Sequence, residues 1–190
     1  MAKEDEPNVI FIGGPMGSGK STIGKLFAWF HGYEFVEGDD YHSDEMKQKM
    51  AAGIPLTDED RRPWLMALAA LWQNNKGKRM VISCSALKKS YRDILLVSNE
   101  EATKHKVKIV LLKVDEDKLR DRLVGRAKKD PKHFASTSLL QSQLEAFELP
   151  VDELNVYVVD GNNTCLKVAT DIKNLIKITT NKIEKQSKQK

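Results

Sequence analysis

Gly14-Pro15-Met16-Gly17-Ser18-Gly19-Lys20-Ser21 follows directly on the apolar run Val9-Ile10-Phe11-Ile12 and opens a helical pattern from Lys20 to His31. Strand, glycine loop and helix in this order form a Walker A phosphate loop. The glycines let successive backbone N–H groups turn inward around an anion, and the helix presents its positive N-terminal end to it. Gly14 to Thr22 is therefore the predicted nucleotide cradle, with Gly14, Pro15, Met16, Gly17, Ser18 and Gly19 supplying backbone. Lys20 reaches the β- and γ-phosphates of ATP as a point charge, and the Ser21 hydroxyl is placed to hold Mg2+.

Outward from the loop, apolar β-rich runs alternate with helical periodicity. Gly32 stops the first helix, Tyr33 to Val36 reads as a second strand, and Glu37-Gly38-Asp39-Asp40 closes it with an acidic turn. Asp44 to Ala52 is predicted helical. Thr57-Asp58-Glu59-Asp60 is a capping box, with Asp60 in the usual place of Glu, starting a helix to about Asn75. Strands follow at 80–83, 107–114 and 156–159, with helices over 86–97, 115–126, from Ser136 or Thr137 to Pro150, and 166–178. Right-handed crossovers make such a sheet parallel, so the predicted fold is a three-layer α/β/α P-loop sandwich with five strands.

The 190 residues suit a single domain, 1–190, and an apolar fraction of 41% with 31% charged residues is ordinary for a folded protein. No leader-like or membrane-spanning stretch stands out, which points to the cytoplasm and to no membrane partner. Cys84 and Cys165 have no metal-ligand spacing. The net charge of +4 is concentrated in the tail at 182–190, read as flexible, and without interleaved aromatics it gives no reason to expect nucleic acid. A GTPase would need a DxxG element, which the chain lacks.

On the acceptor side, Asp39 is the candidate to bind and orient an attacking hydroxyl and to accept its proton. A surface turn is the plainer alternative for Gly38-Asp39-Asp40. His42 is either a substrate contact or a capping and packing residue. Arg61 and Arg92 can each make paired N–H contacts to a carboxylate, Lys88 adds positive potential or simply starts a helix, and Ser85 offers a hydroxyl at a strand end. Cys84 reads as a packed residue, and Trp64, Leu65, Leu68 and Leu71 recur at helical spacing as core.

These stretches together resemble the gluconokinase family, P-loop kinases related to shikimate kinase and the nucleoside monophosphate kinases. The resemblance is carried by Gly17 to Thr22, Gly38-Asp39 with His42, and Lys49-Met50 with Gly53 and Pro55 to Arg61. It continues through Pro63-Trp64, Cys84 to Lys89, Tyr91-Arg92-Asp93, Lys132-His133-Phe134 and Ser142-Gln143. It implies ATP-dependent phosphorylation of D-gluconate to 6-phospho-D-gluconate in the pentose phosphate pathway, strand order 2-3-1-4-5, and frequent homodimers. It selects Arg61 over Arg62 as the substrate cation. It also implies a mobile lid over about 126–136, where Arg126 leads as the cation for the transferring phosphate, with Arg122, Lys132 and His133 as alternatives. The Ala127 to Pro131 stretch lengthens that lid relative to the family pattern.

Overall fold

The computed structural model describes residues 6–104, 106–129 and 137–187. Five parallel strands, β1 (Val9–Gly13), β2 (Glu34–Glu37), β3 (Met80–Ser83), β4 (Val107–Lys113) and β5 (Val156–Asp160), lie in the order β2-β3-β1-β4-β5. The sheet is the one expected, and the phosphate loop leaves its central strand. All five residues of β1 are buried, because helices cover both faces of a parallel sheet and leave its middle strand no solvent side.

Alternate residues of the strands feed two cores. Phe11, Ile82, Ile109 and Leu111 face α3 (Asp58–Asn74) and α4 (Lys89–Leu96), meeting Leu65, Leu68, Trp72, Tyr91 and Leu95. Ile10, Ile12, Val81, Val110 and Leu112 face α1 (Lys20–His31) and the last helix, meeting Ile23, Phe27, Val168 and Ile172. Each such buried aliphatic or aromatic side chain contributes about 1.5–3 kcal/mol, so the sheet is a rigid floor for the loops at its carboxyl edge. Leu65 and Leu68 are fully buried and Leu71 packs at the margin, as their helical spacing predicts.

Local signals place most boundaries. Gly32 ends α1 with φ 68°, a conformation that costs glycine little. Thr57 accepts from the Asp60 N–H at 3.2 Å while Asp60 accepts from the Thr57 N–H at 3.0 Å, the reciprocal cap of α3. Ser43 caps α2 (Asp44–Ala51) from one side only, its hydroxyl accepting from the Met46 N–H at 3.2 Å.

Five helices differ from expectation. The helix predicted from Ala86 starts at Lys89, because the carbonyls of Ser85, Ala86 and Leu87 are engaged by Gly14 N–H and Arg92 and Ala86 takes φ 46°. A short helix, α5 (Asn99–Lys104), follows where none was predicted. Next, α6 (Glu116–Lys129) runs three residues past Arg126, into the stretch read as loop. Finally, α7 (Thr137–Glu145) stops before Pro150 because Glu148 N–H turns away to the Leu87 carbonyl, whereas α8 (Cys165–Ser187) extends through most of the stretch read as a loose tail. Lid residues 130–136, with Lys132 and His133, lie outside the described residues. No helix of the described residues is long and apolar enough to cross a membrane.

Candidate active site

The carboxyl ends of β1, β2 and β3 open into a cleft of about 950 Å3, the side of an open α/β sheet where ligands bind. Met16 to Thr22 form one wall, and Asp39, His42, Arg61, Trp64 and Ser85 form the other. The two candidate halves of the chemistry thus share one space.

The phosphate loop is built as an anion cradle. Gly14, Gly17 and Gly19 have φ of 133°, 78° and 96°, which glycine alone adopts without strain. Gly14 N–H donates to the Ser85 carbonyl at 2.9 Å and Ser18 N–H to the Pro15 carbonyl at 3.2 Å, fixing the loop's rim. Among the described residues nothing accepts from the N–H of Gly17, Gly19, Lys20, Ser21 or Thr22. Five donors converging at a helix N-terminus with no acceptor fit the phosphates of a nucleotide.

The Lys20 ammonium donates to the Pro15 carbonyl at 3.0 Å. Burial pushes its pKa below the ordinary lysine value; nearby Asp39, Cys84 and Glu37 pull the other way, and Arg126 adds to the depression. That Arg126 acts on Lys20 puts the α6 cation on the same cleft, which it lines. Gly14 and Pro15 support the loop from outside the lining. Arg122, the alternative lid cation, instead binds the carbonyls of Gly17 and Ser18 at 3.3 Å and of Gly161 at 3.2 Å, locking the loop to the turn after β5.

Asp39 sits in a 3-10 turn, Gly38–Tyr41. Its side chain is 67% exposed to the open cleft and has His42 Nε2 3.5 Å from Oδ1. The protein walls around it raise its pKa by desolvation, but the His42 contact and the charges of Lys20 and Arg61 outweigh this, so the carboxyl titrates below its usual range. His42 is buried and stacks on Trp64; among the described residues its Nδ1 has no partner, and neither do the Ser85 and Ser18 hydroxyls.

Arg61 is 8% exposed. It occupies the fourth position of α3, aimed by the Thr57–Asp60 cap, over the Tyr91 ring at 5.9 Å. Among the described residues no carboxylate or carbonyl takes a hydrogen bond from its guanidinium. Arg62 points to solvent, so the geometry separates the two as the motif does.

Two expected substrate contacts are corrected. Arg92 is fully buried but lies away from the cleft: Nε and Nη2 bind Glu153 at 2.8 and 2.6 Å, and Nη1 binds the carbonyls of Ala86, Leu87 and Glu148. Its donors are consumed. Lys88 gives its ammonium to Asp58 at 2.8 Å and does not line the cleft. Cys84 is packed as expected, with burial pushing its thiol up to about 12.

Two residues enter that single-residue reasoning did not place. Gln143 of α7 accepts the Met16 N–H at 2.7 Å, tying the helix after the lid to the phosphate loop. Trp64 donates its indole N–H to the Gly38 carbonyl at 2.7 Å. The helical period that marks Trp64 as core is silent about its polar atom.

Residues 16–177 match the family model for shikimate kinase. The chain is 37% identical to a probable gluconokinase of Mus musculus, over 91% of this chain and all of that one. It is 39% identical to the thermoresistant gluconokinase of Escherichia coli, covering 80% of this chain and 84% of that protein. The chain belongs to the gluconokinase family. The solved structure of a gluconokinase from Sinorhizobium meliloti superposes with a TM-score of 0.81 at 38% identity, covering 95% of this chain and 98% of that one. Family membership brings with it a P-loop kinase fold and ATP binding, in agreement with the unpartnered donors of the loop.

Proposed function

We infer that the protein transfers the γ-phosphoryl group of ATP to the 6-hydroxyl of D-gluconate, giving ADP and 6-phospho-D-gluconate. The observation that carries the acceptor is the buried Arg61 guanidinium, which among the described residues hydrogen-bonds no carboxylate and shares its cleft with Asp39 and the phosphate loop. Asp39 and Asp58 act on it only through space; a buried cation whose donors are unmatched is costly unless a ligand matches them, and a sugar acid carries one carboxylate to do so. The gluconokinase names of the relatives support the same acceptor.

In this reading the free N–H groups of the loop and Lys20 hold the β- and γ-phosphates, and the Ser21 hydroxyl holds Mg2+, which when bound neutralises charge on the transferring group. Asp39 accepts a hydrogen bond from the 6-hydroxyl, aims its oxygen in line with the phosphorus and takes its proton. The depressed pKa keeps Asp39 ionised, so that it accepts the hydroxyl's hydrogen bond at neutral pH, and makes it a weak base whose first task is to orient that hydroxyl. Arg61 pairs with the carboxylate at the other end of the chain, while Ser85 Oγ and His42 Nδ1, both without partners among the described residues, meet the hydroxyls between. Arg126 faces Lys20 across the γ-phosphate. The free thiols Cys84 and Cys165 suit work in a reducing cytoplasm.

The test is ADP formation with Mg-ATP across D-gluconate, shikimate, glycerate and AMP. Gluconate alone should drive rapid turnover. Folded protein that turns over another of these acceptors faster, or shows no gluconate dependence, defeats the inference.

A further inference from the structure

Asp39 follows directly on Gly38, and three contacts fix that residue. Gly38 N–H donates to Ser83 Oγ at 3.0 Å, and the Gly38 carbonyl, which belongs to the peptide leading into Asp39, accepts the Trp64 indole N–H at 2.7 Å. The third is steric: a Cβ on residue 38 would stand 1.9 Å from the Ser83 carbonyl oxygen, so the turn lies directly on the end of β3. The same indole stacks on the His42 ring, 4.2 Å between centroids and 20° from parallel, and that ring reaches Asp39 Oδ1 with Nε2 at 3.5 Å. One side chain thus touches both the backbone that carries the Asp39 carboxylate and the imidazole beside it.

We propose that Trp64 is a positioning residue for phosphoryl transfer, holding the Asp39 carboxylate at its working angle through the Gly38 carbonyl and the His42 ring. This rests on the reading of Asp39 as the group that orients the acceptor hydroxyl. Packing alone would need only an aromatic of this size at a site 2% exposed. The Gly38 N–H anchors only the preceding peptide, and the indole N–H adds a directional tie to the Gly38–Asp39 peptide itself; small angular errors at an attacking oxygen cost large factors in rate.

The molecule contains its own control. Trp72, two turns further along α3 and 1% exposed, makes an equivalent buried bond from its indole to the Leu95 carbonyl at 2.9 Å, but it does not line the cleft. Trp64→Phe and Trp72→Phe each delete one indole donor and leave an aromatic in the core. Measured at a temperature where both variants are folded, Trp64→Phe should lower kcat about tenfold or more with KM for ATP within about twofold of wild type. Trp72→Phe should lose thermal stability to a similar degree and keep its kcat. Equal kcat in the two variants, or a Trp64→Phe loss that follows the unfolded fraction, overturns the proposal.

Should Trp64→Phe not fold, wild-type protein decides. The 15N-indole resonance of Trp64 should move on saturation with gluconate while that of Trp72 stays, and a Trp64 resonance that gluconate leaves in place overturns the proposal. Wild type that makes no ADP from gluconate contradicts the functional reading instead, so the two failures are distinguishable.

Discussion

Arg61 on α3 and Arg92 on α4 are both buried, both near the carboxyl edge of the sheet, and opposite in use. Arg92 spends its guanidinium on Glu153 and three carbonyls, sewing α4 to the segment after α7. Arg61 is almost as well hidden, yet among the described residues no acceptor takes a hydrogen bond from its guanidinium, and an aromatic ring is its neighbour. Burial by itself does not separate a structural cation from a binding one. Satisfaction does: a buried charge with every donor matched holds the fold, and one left unmatched in a cleft awaits a ligand.

The largest effect should come from the satisfied arginine. Arg92→Ala leaves Glu153 buried without its partner and should cost about 3–5 kcal/mol of stability, read as a lowered urea midpoint, with KM for gluconate unchanged in the folded fraction. A raised KM with intact stability would reverse the assignment of the two arginines. Lys20 is a third cation, half-buried, with one carbonyl partner among the described residues, and it extends the comparison to the phosphate side. Lys20→Ala should reduce turnover about 10^3-fold with little change in melting temperature, and unchanged kinetics would remove it from the cradle.

Arg61→Ala should lower kcat/KM for gluconate about 10^2-fold while stability stays level or rises, since an uncompensated charge is removed. Lys88, half-exposed on Asp58, should matter least: Lys88→Ala costs about 0–1 kcal/mol and leaves gluconate kinetics alone. A pH titration refines the picture of Asp39. Its folded pKa lies below the ordinary value near 3.8, so its stabilising contribution is present above that value and lost as pH falls through the folded pKa. Asp39→Asn should flatten the acid side of the stability profile below about pH 4, and an identical profile would place the carboxylate outside the field of Lys20 and Arg61.

Much of this was open to reading in the chain. The strand-loop-helix order around Lys20, the Thr57–Asp60 cap and the Gly32 stop are local features, and local physics decides them. Arg92 was misread for a non-local reason: its partner Glu153 lies 61 residues away, and no local pattern announces that pairing. The same holds for the Ser85–Leu87 segment, whose carbonyls serve the phosphate loop and Arg92 instead of a helix. The α5 helix, Asn99-Glu-Glu-Ala-Thr-Lys104, is six residues with one apolar anchor, Ala102, too short for a period to emerge. Trp64 was legible as core and opaque as a donor, because its acceptor depends on where the Gly38 turn lands.

The most direct test compares D-gluconate with D-glucitol, which keeps the 6-hydroxyl and replaces the carboxylate with a neutral alcohol, as acceptors for wild type and Arg61→Ala. The ratio of kcat/KM values, followed by ADP release, should favour gluconate by about 10^2-fold or more in wild type and fall to within about tenfold in the variant. A wild type indifferent to the carboxylate, or a variant that retains the full preference, would contradict the claim that the unmatched arginine selects the substrate.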